Sequence, residues 1–193
     1  GFGIASTSYA TVTINAGDSV QVNVAIQLRI AGLDSAIVQI AKSDLPISLP
    51  SIDFPTEIEI FSGLLKTNSG FEVNEINIEN VASTYPLNVD FMMNFQNFIP
   101  PAGKDSTKLD TVLKKGVTIN KTYDLDGYTF SNPAGKDSAL SKLSLDVSAT
   151  MQAQTAKIPL DGSDIGSVSL NVSMKKLHFE SLEANIIQEL SLI

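Results

Sequence analysis

The chain holds 193 residues, 43% apolar and 18% charged, with no cysteine, no tryptophan and a single histidine. That is enough apolar material for a folded core, which excludes intrinsic disorder, and the missing cysteine excludes disulfides, iron–sulfur clusters, thiolate zinc sites and cysteine nucleophiles. Thirteen basic residues against 21 acidic ones leave a net charge of −8, which excludes a nucleic-acid surface, since that needs clustered Lys and Arg.

No stretch reaches the ~18 uncharged apolar residues of a membrane-spanning helix. With no initiator Met and no signal-peptide pattern, Gly1 reads as the processed end of a longer precursor. A first strand is expected over 8–14. Residues 18–30, DSVQVNVAIQLRI, then alternate without a break. Val20, Val22, Val24, Ile26, Leu28 and Ile30 take one face, and Gln21, Asn23, Gln27 and Arg29 take the other together with Ala25. Six alternations leave no helical solution. At ~3.3 Å per residue such a strand runs about 40 Å, roughly twice the usual length.

A weaker strand follows over 35–41. Segment 43–55, SDLPISLPSIDFP, carries Pro46, Pro50 and Pro55. Proline cannot donate to a ladder, so this is an extended connection or a sheet edge. It is also the one compositional break and would mark a sub-boundary. A 42-residue unit seldom folds alone, however, so a single β domain over 1–193 is expected. Further weak strands are expected at 56–61 and 71–81. The strong alternation returns at 85–95, YPLNVDFMMNF, where Leu87, Val89, Phe91, Met93 and Phe95 face away from Asn88, Asp90, Met92 and Asn94.

The hexapeptide PAGKDS occurs at 101–106 and again at 133–138. An identical six residues so close together points to duplicated β-units or to two copies of one turn. Its Gly-Lys pair lacks the preceding glycine of a phosphate loop and is followed by Asp instead of Ser or Thr, so a polar turn is expected. Residues 106–115, STKLDTVLKK, place Leu109, Val112 and Leu113 at helical spacing behind Ser106, which predicts one short helix. A strand is expected at 117–123.

Two acidic turns follow in the chain, Asp124-Leu125-Asp126-Gly127 and Asp161-Gly162-Ser163-Asp164. Calcium takes six to eight oxygens, which makes Asp124, Asp126, Asp161 and Asp164 the candidate metal ligands. The glutamate of an EF-hand is missing, since Pro133 and Val168 stand in its place. Asp-Gly is the commonest tight-hairpin signal, so ion-free turns are expected. Strands are expected at 143–153, 155–160 and 168–174. His178, in KKLHFES, has neither a G-x-S-x-G elbow nor companion ligands and reads as a surface or strand histidine. The triplets Asn120-Lys121-Thr122 and Asn171-Val172-Ser173 fit glycan acceptors but arise often by chance. The C-terminal run fits a helix through Leu182, Ile186, Ile187 and Leu190, and a strand through Leu182, Ala184 and Ile186.

The expected fold is therefore all-β and mainly antiparallel: a β-sandwich or a strongly curved long-stranded sheet, with at most one or two short helices. The long aliphatic faces must be covered by a second sheet, by an apolar ligand in a groove, or by a bilayer around a barrel. Missing tryptophan, only four tyrosines and the scattered prolines weigh against the barrel. Nothing nominates a nucleophile, a metal or a cofactor. The expectation is a non-enzymatic module of a cell envelope or extracellular assembly that meets a protein partner. The alternative is a carrier of a lipid or other apolar ligand. The acidic charge and the Asn-, Ser- and Thr-rich faces suit an exported protein, periplasmic, cell-surface or extracellular.

Overall fold

A computed structural model describes residues 4–8, 19–29, 34–47, 52–53, 58–70, 72–135, 138–140 and 142–186. In chain order the strands are β1 (Ile4–Ser8), β2 (Ser19–Arg29), β3 (Ser35–Ile40), β4 (Ser43–Leu45), β5 (Ile52–Asp53), β6 (Ile58–Leu65), β7 (Glu75–Ser83) and β8 (Val89–Phe95). They continue with β9 (Phe98–Ile99), β10 (Lys108–Leu113), β11 (Thr118–Asp124), β12 (Thr129–Ser131), β13 (Lys142–Leu143), β14 (Leu145–Met151), β15 (Gln154–Pro159), β16 (Asp161–Met174) and β17 (Phe179–Ile186). Most of the described residues are strand, and they contain no helix.

Three sheets carry the architecture. The largest has the order β1-β2-β16-β7-β11, the second β10-β8-β14-β4 and the third β17-β6-β12-β9, with two ribbons, β13-β5 and β15-β3, beside them. Every named strand pair is antiparallel, and among the described residues none of the sheets closes into a barrel. Buried residues of all three sheets, among them Ile76, Ile78 and Leu170 from the first, Phe91 and Met93 from the second, and Leu65 and Phe130 from the third, belong to one hydrophobic cluster. This is a sandwich-like arrangement in which each sheet covers the apolar face of another.

The period-two runs become strands as the pleat demands, because successive side chains point to opposite faces. Along β8 the burial alternates residue by residue: Val89, Phe91, Met93 and Phe95 are buried, and Asp90, Met92 and Asn94 are partly exposed. Those four side chains are worth roughly 6–12 kcal/mol gross. Leu87 is equally buried, but it lies in the bend before the strand, which starts at Val89 and not at residue 85. The run at 18–30 forms β2, eleven residues long, whose Val20, Val22 and Val24 are register partners of Val172, Leu170 and Val168 in β16. Ile26 and Leu28 are paired to Ser6 and Ile4 of β1, and Ile30 lies outside the described residues.

One expectation is corrected. Residues 108–113, expected inside a short helix, form β10 at the edge of the second sheet. Leu109 and Leu113 are an even number of residues apart, so they satisfy a strand face as readily as a helix face. β8 offers the partners Met93 and Val89, and Val112 is left 41% exposed on the opposite side. The packing of β8 needed a neighbour on that flank, and tertiary pairing overrode the local pattern. At the other end, 179–186 is strand β17, which resolves that part of the C-terminal run; residues beyond 186 lie outside the described set. The expected strand at 8–14 falls mostly outside it too, and β1 lies just before it.

The described start of the proline-rich segment forms a sheet edge. β4 is three residues long, ends just before Pro46 and borders the second sheet beside β14. β7 carries a bulge. Asn120 of β11 faces both Glu79 and Asn80, Asn80 takes a positive φ of 55°, and its N–H donates to Asn120 Oδ1 at 2.8 Å. The extra residue shifts the alternation, so that Ile76 and Ile78 before it and Val81 after it all reach the core.

Candidate functional site

The densest gathering of polar side chains surrounds the turn between β11 and β12, where two of the four candidate calcium ligands sit. Asp126 Oδ1 accepts from the Thr67 N–H at 2.8 Å, from the Thr67 hydroxyl at 2.5 Å and from Asn74 Nδ2 at 3.2 Å. Asn74 is fully buried; its Nδ2 also donates to the His178 carbonyl at 3.1 Å, and its Oδ1 accepts from the His178 N–H at 2.7 Å. The Leu125 N–H donates to the Asn74 carbonyl, and the Asn74 N–H to the Thr67 hydroxyl. Two other connections, those holding Thr67 and Asn74 and holding His178, are thereby tied to this one turn.

Lys104 completes the junction from the first PAGKDS copy. Its Nζ donates to the Asp126 carbonyl at 2.7 Å and to Asp124 Oδ2 at 3.2 Å, and it stands 5.4 Å from the centre of the Tyr128 ring. Tyr128 in turn donates from its hydroxyl to the Asp105 carbonyl. Asp126 Oδ1 and Asp124 Oδ2 are thus engaged by N–H and O–H donors and by an ammonium group, and Asp124 Oδ1 accepts from the Asp126 N–H.

Electrostatics follow from these contacts. Burial pulls the Asp126 carboxyl upward, but the Thr67 and Asn74 hydrogen bonds and the Lys104 charge outweigh it and hold the group below its ordinary value. A carboxylate with a lowered folded-state pKa adds stability above its unfolded pKa, near 3.9, and loses it as pH falls through the lower folded value. The wild type should accordingly lose melting temperature steeply below about pH 4, and Asp126→Asn should be less stable at neutral pH yet show a shallower acid slope. Thermal melts from pH 7 down to pH 2 check this, and parallel slopes for the two proteins would remove the assignment.

Asp161 and Asp164 are not brought to this junction. They open β16, as register partners of Arg29 and Gln27. Asp161 Oδ1 accepts from the Ser163 hydroxyl at 2.6 Å and from its N–H at 2.9 Å, and these bonds hold the carboxyl below its usual range. Burial and the charge of Asp164 push the Tyr85 hydroxyl up to about 12. Among the described residues no group of three or more His, Asp or Glu side chains is arranged to hold a metal ion. His178 enters the junction through its backbone. An open depression lined by Ser62, Leu64, Thr129, Ser181 and Glu183 lies across β6, β12 and β17, where the Ser62 hydroxyl donates to Glu183 at 3.1 Å.

The two PAGKDS copies occupy equivalent places. Each follows a short strand, β9 or β12, and these two strands pair antiparallel with Phe98 opposite Phe130, their ring centres 5.1 Å apart. Because the strands run in opposite directions, the two turns leave from opposite ends of the pair. Gly103 and Gly135 have φ of +87° and +121°, the left-handed region that makes glycine the fitting residue in both copies.

Set against protein-family models, curated proteins and solved structures, the chain matches none. What the site can do therefore rests on its geometry alone. Of the apolar-face candidates, Leu87, Val89, Phe91 and Met93 are no more than 2% exposed and lie inside the core cluster, while the side chains of Val20, Val22, Val24, Ile26 and Leu28, and all of Ile30, lie outside the described residues. Sequence reasoning missed Asn74, Thr67 and Lys104. The repeat had singled out the Lys104 turn, but no local pattern ties Asn74 to a carboxylate 52 residues away.

Proposed function

We propose that this chain is a non-catalytic β module that works in binding or structural assembly at a cell envelope or outside the cell. The observation that carries this reading is the closed core, in which the aliphatic face of β8 is covered by protein. A carrier needs such a face open to its ligand. The junction around Asp126 supports the same reading, because its polar groups are spent on holding loops together and none is poised as a nucleophile or base. Such a module would present rigid sheet edges and turns to its partners. The acidic balance and the Asn-, Ser- and Thr-rich strands favour an exported location on composition alone.

Native mass spectrometry of the purified protein tests this proposal. The expected spectrum holds the bare polypeptide mass and its whole-number multiples, with neither lipid nor calcium adducts. A stoichiometric lipid adduct that survives gentle activation would replace this proposal with the carrier.

A further inference from the structure

Among the edge strands with described side chains, β3 has the least protected edge. The described residues pair it only with β15, and a two-stranded ribbon is marginal in water by itself. Its six register pairs run without a bulge, and none of the residues in SAIVQI is charged, proline or glycine. Ile37, at 76%, is more exposed than any other large apolar side chain in the described set. The other edges carry the devices that discourage strand addition. β10 has Lys108, and β11 has Lys121 and the bulge opposite. β17 has two register shifts together with Glu180 and Glu183. β4 is short and meets Pro46, and β15 carries Lys157 and ends at Pro159.

The charges flanking β3 say what its edge would accept. Asp34 precedes the strand and Lys42 follows it by two residues; both are exposed, and neither joins an ion pair within the described residues. In an antiparallel pairing with a second copy centred on Val38, Asp34 comes level with Lys42 of the partner subunit, and the reverse pair forms by symmetry. Only uncharged residues lie between, so no like charges meet across the ladder. A slip of one residue loses both pairs and exchanges the faces. Ile37 then stands opposite Gln39 of the partner subunit and diagonal to the partner's Ile37, within reach of both.

We propose that this chain forms a two-fold dimer by antiparallel pairing of β3 with β3, which joins two ribbons into one four-stranded sheet. The pairing is isologous and uses up the edge, so it closes at two subunits. It is independent of the binding-module proposal, since a carrier could dimerise in the same way.

The cysteine-free sequence makes the test clean. Residues directly opposite in an antiparallel pair have Cα atoms about 4.5–5.5 Å apart, within the span of a disulfide. Val38→Cys should therefore convert to covalent dimer under mild oxidation, while Ser148→Cys, at an exposed position of the second sheet, should not form covalent dimer at the same rate. Sedimentation velocity from about 1 to 500 µM should show a wild-type monomer–dimer equilibrium. Ile37→Lys should abolish the dimer and leave the melting temperature of the monomer unchanged. Asp34→Lys should weaken dimerisation roughly 3–30-fold, and the double change Asp34→Lys with Lys42→Asp should restore it. A wild type that stays monomeric throughout, an open-ended assembly, a double variant that stays weak, or crosslinking of Val38→Cys no faster than the control would overturn the proposal.

Discussion

Phe91→Asp should leave no folded, soluble protein. The ring is 1% exposed, and Phe91 pairs with Thr111 on one side and with Ala149 on the other. Removing a buried phenylalanine ring costs about 3–5 kcal/mol by itself. A carboxylate in its place has neither water nor a partner and adds several kcal/mol more. Domains of this kind are stable by only about 5–15 kcal/mol in total, so the two losses together exhaust the margin. Met92→Gln, one residue along and on the opposite face, should change stability by less than about 0.5 kcal/mol. Soluble yield, size-exclusion elution and urea unfolding read the contrast. A folded and soluble Phe91→Asp protein would mean that this face opens to a ligand, and the carrier would then become the better account of function.

Gly166→Val carries the second large effect, for a reason of space. A Cβ at Gly166 would stand 2.5 Å from both the Cα and the N of Tyr85, closer than real Cβ contacts come. The segment it would push is tied down. The Thr84 N–H donates to the Ser167 carbonyl at 2.9 Å, the Ser167 N–H donates to the Thr84 hydroxyl at 2.8 Å, and Tyr85 is completely buried. Neither the backbone of Tyr85 nor the central strand β16 can yield without breaking these bonds. Forced overpacking costs about 1–3 kcal/mol and sometimes more, which in a protein of this size lowers the melting temperature by several degrees. Differential scanning calorimetry should show Gly166→Ala reduced and Gly166→Val reduced further. An unchanged midpoint for the valine variant would show that β16 and the 84–88 segment do not approach as closely as described.

The alternations at 18–30 and 85–95 announced β2 and β8, because a period of two in apolar character leaves the backbone only one way to bury one side and wet the other. Pro46 announced the edge at β4, because the missing N–H is a local property. The repeated hexapeptide announced a polar turn at each copy, and the glycines of both, Gly103 and Gly135, do take positive φ. These are statements that a residue and its near neighbours make on their own.

The tertiary structure decided what depends on distant partners. Residues 108–113 became a strand because β8 needed a neighbour, although their local spacing also suited a helix. The four acidic candidates were divided between a junction and the start of β16. Asp126 became a clamp on Thr67 and Asn74, with Lys104 supplying the positive charge, and no spacing rule links residues 22 to 59 positions apart. Whether the aliphatic face of β8 lines a groove or a core was undecidable from alternation, which records that one side is apolar and not what lies against it. The packing of three sheets into one cluster settled that question.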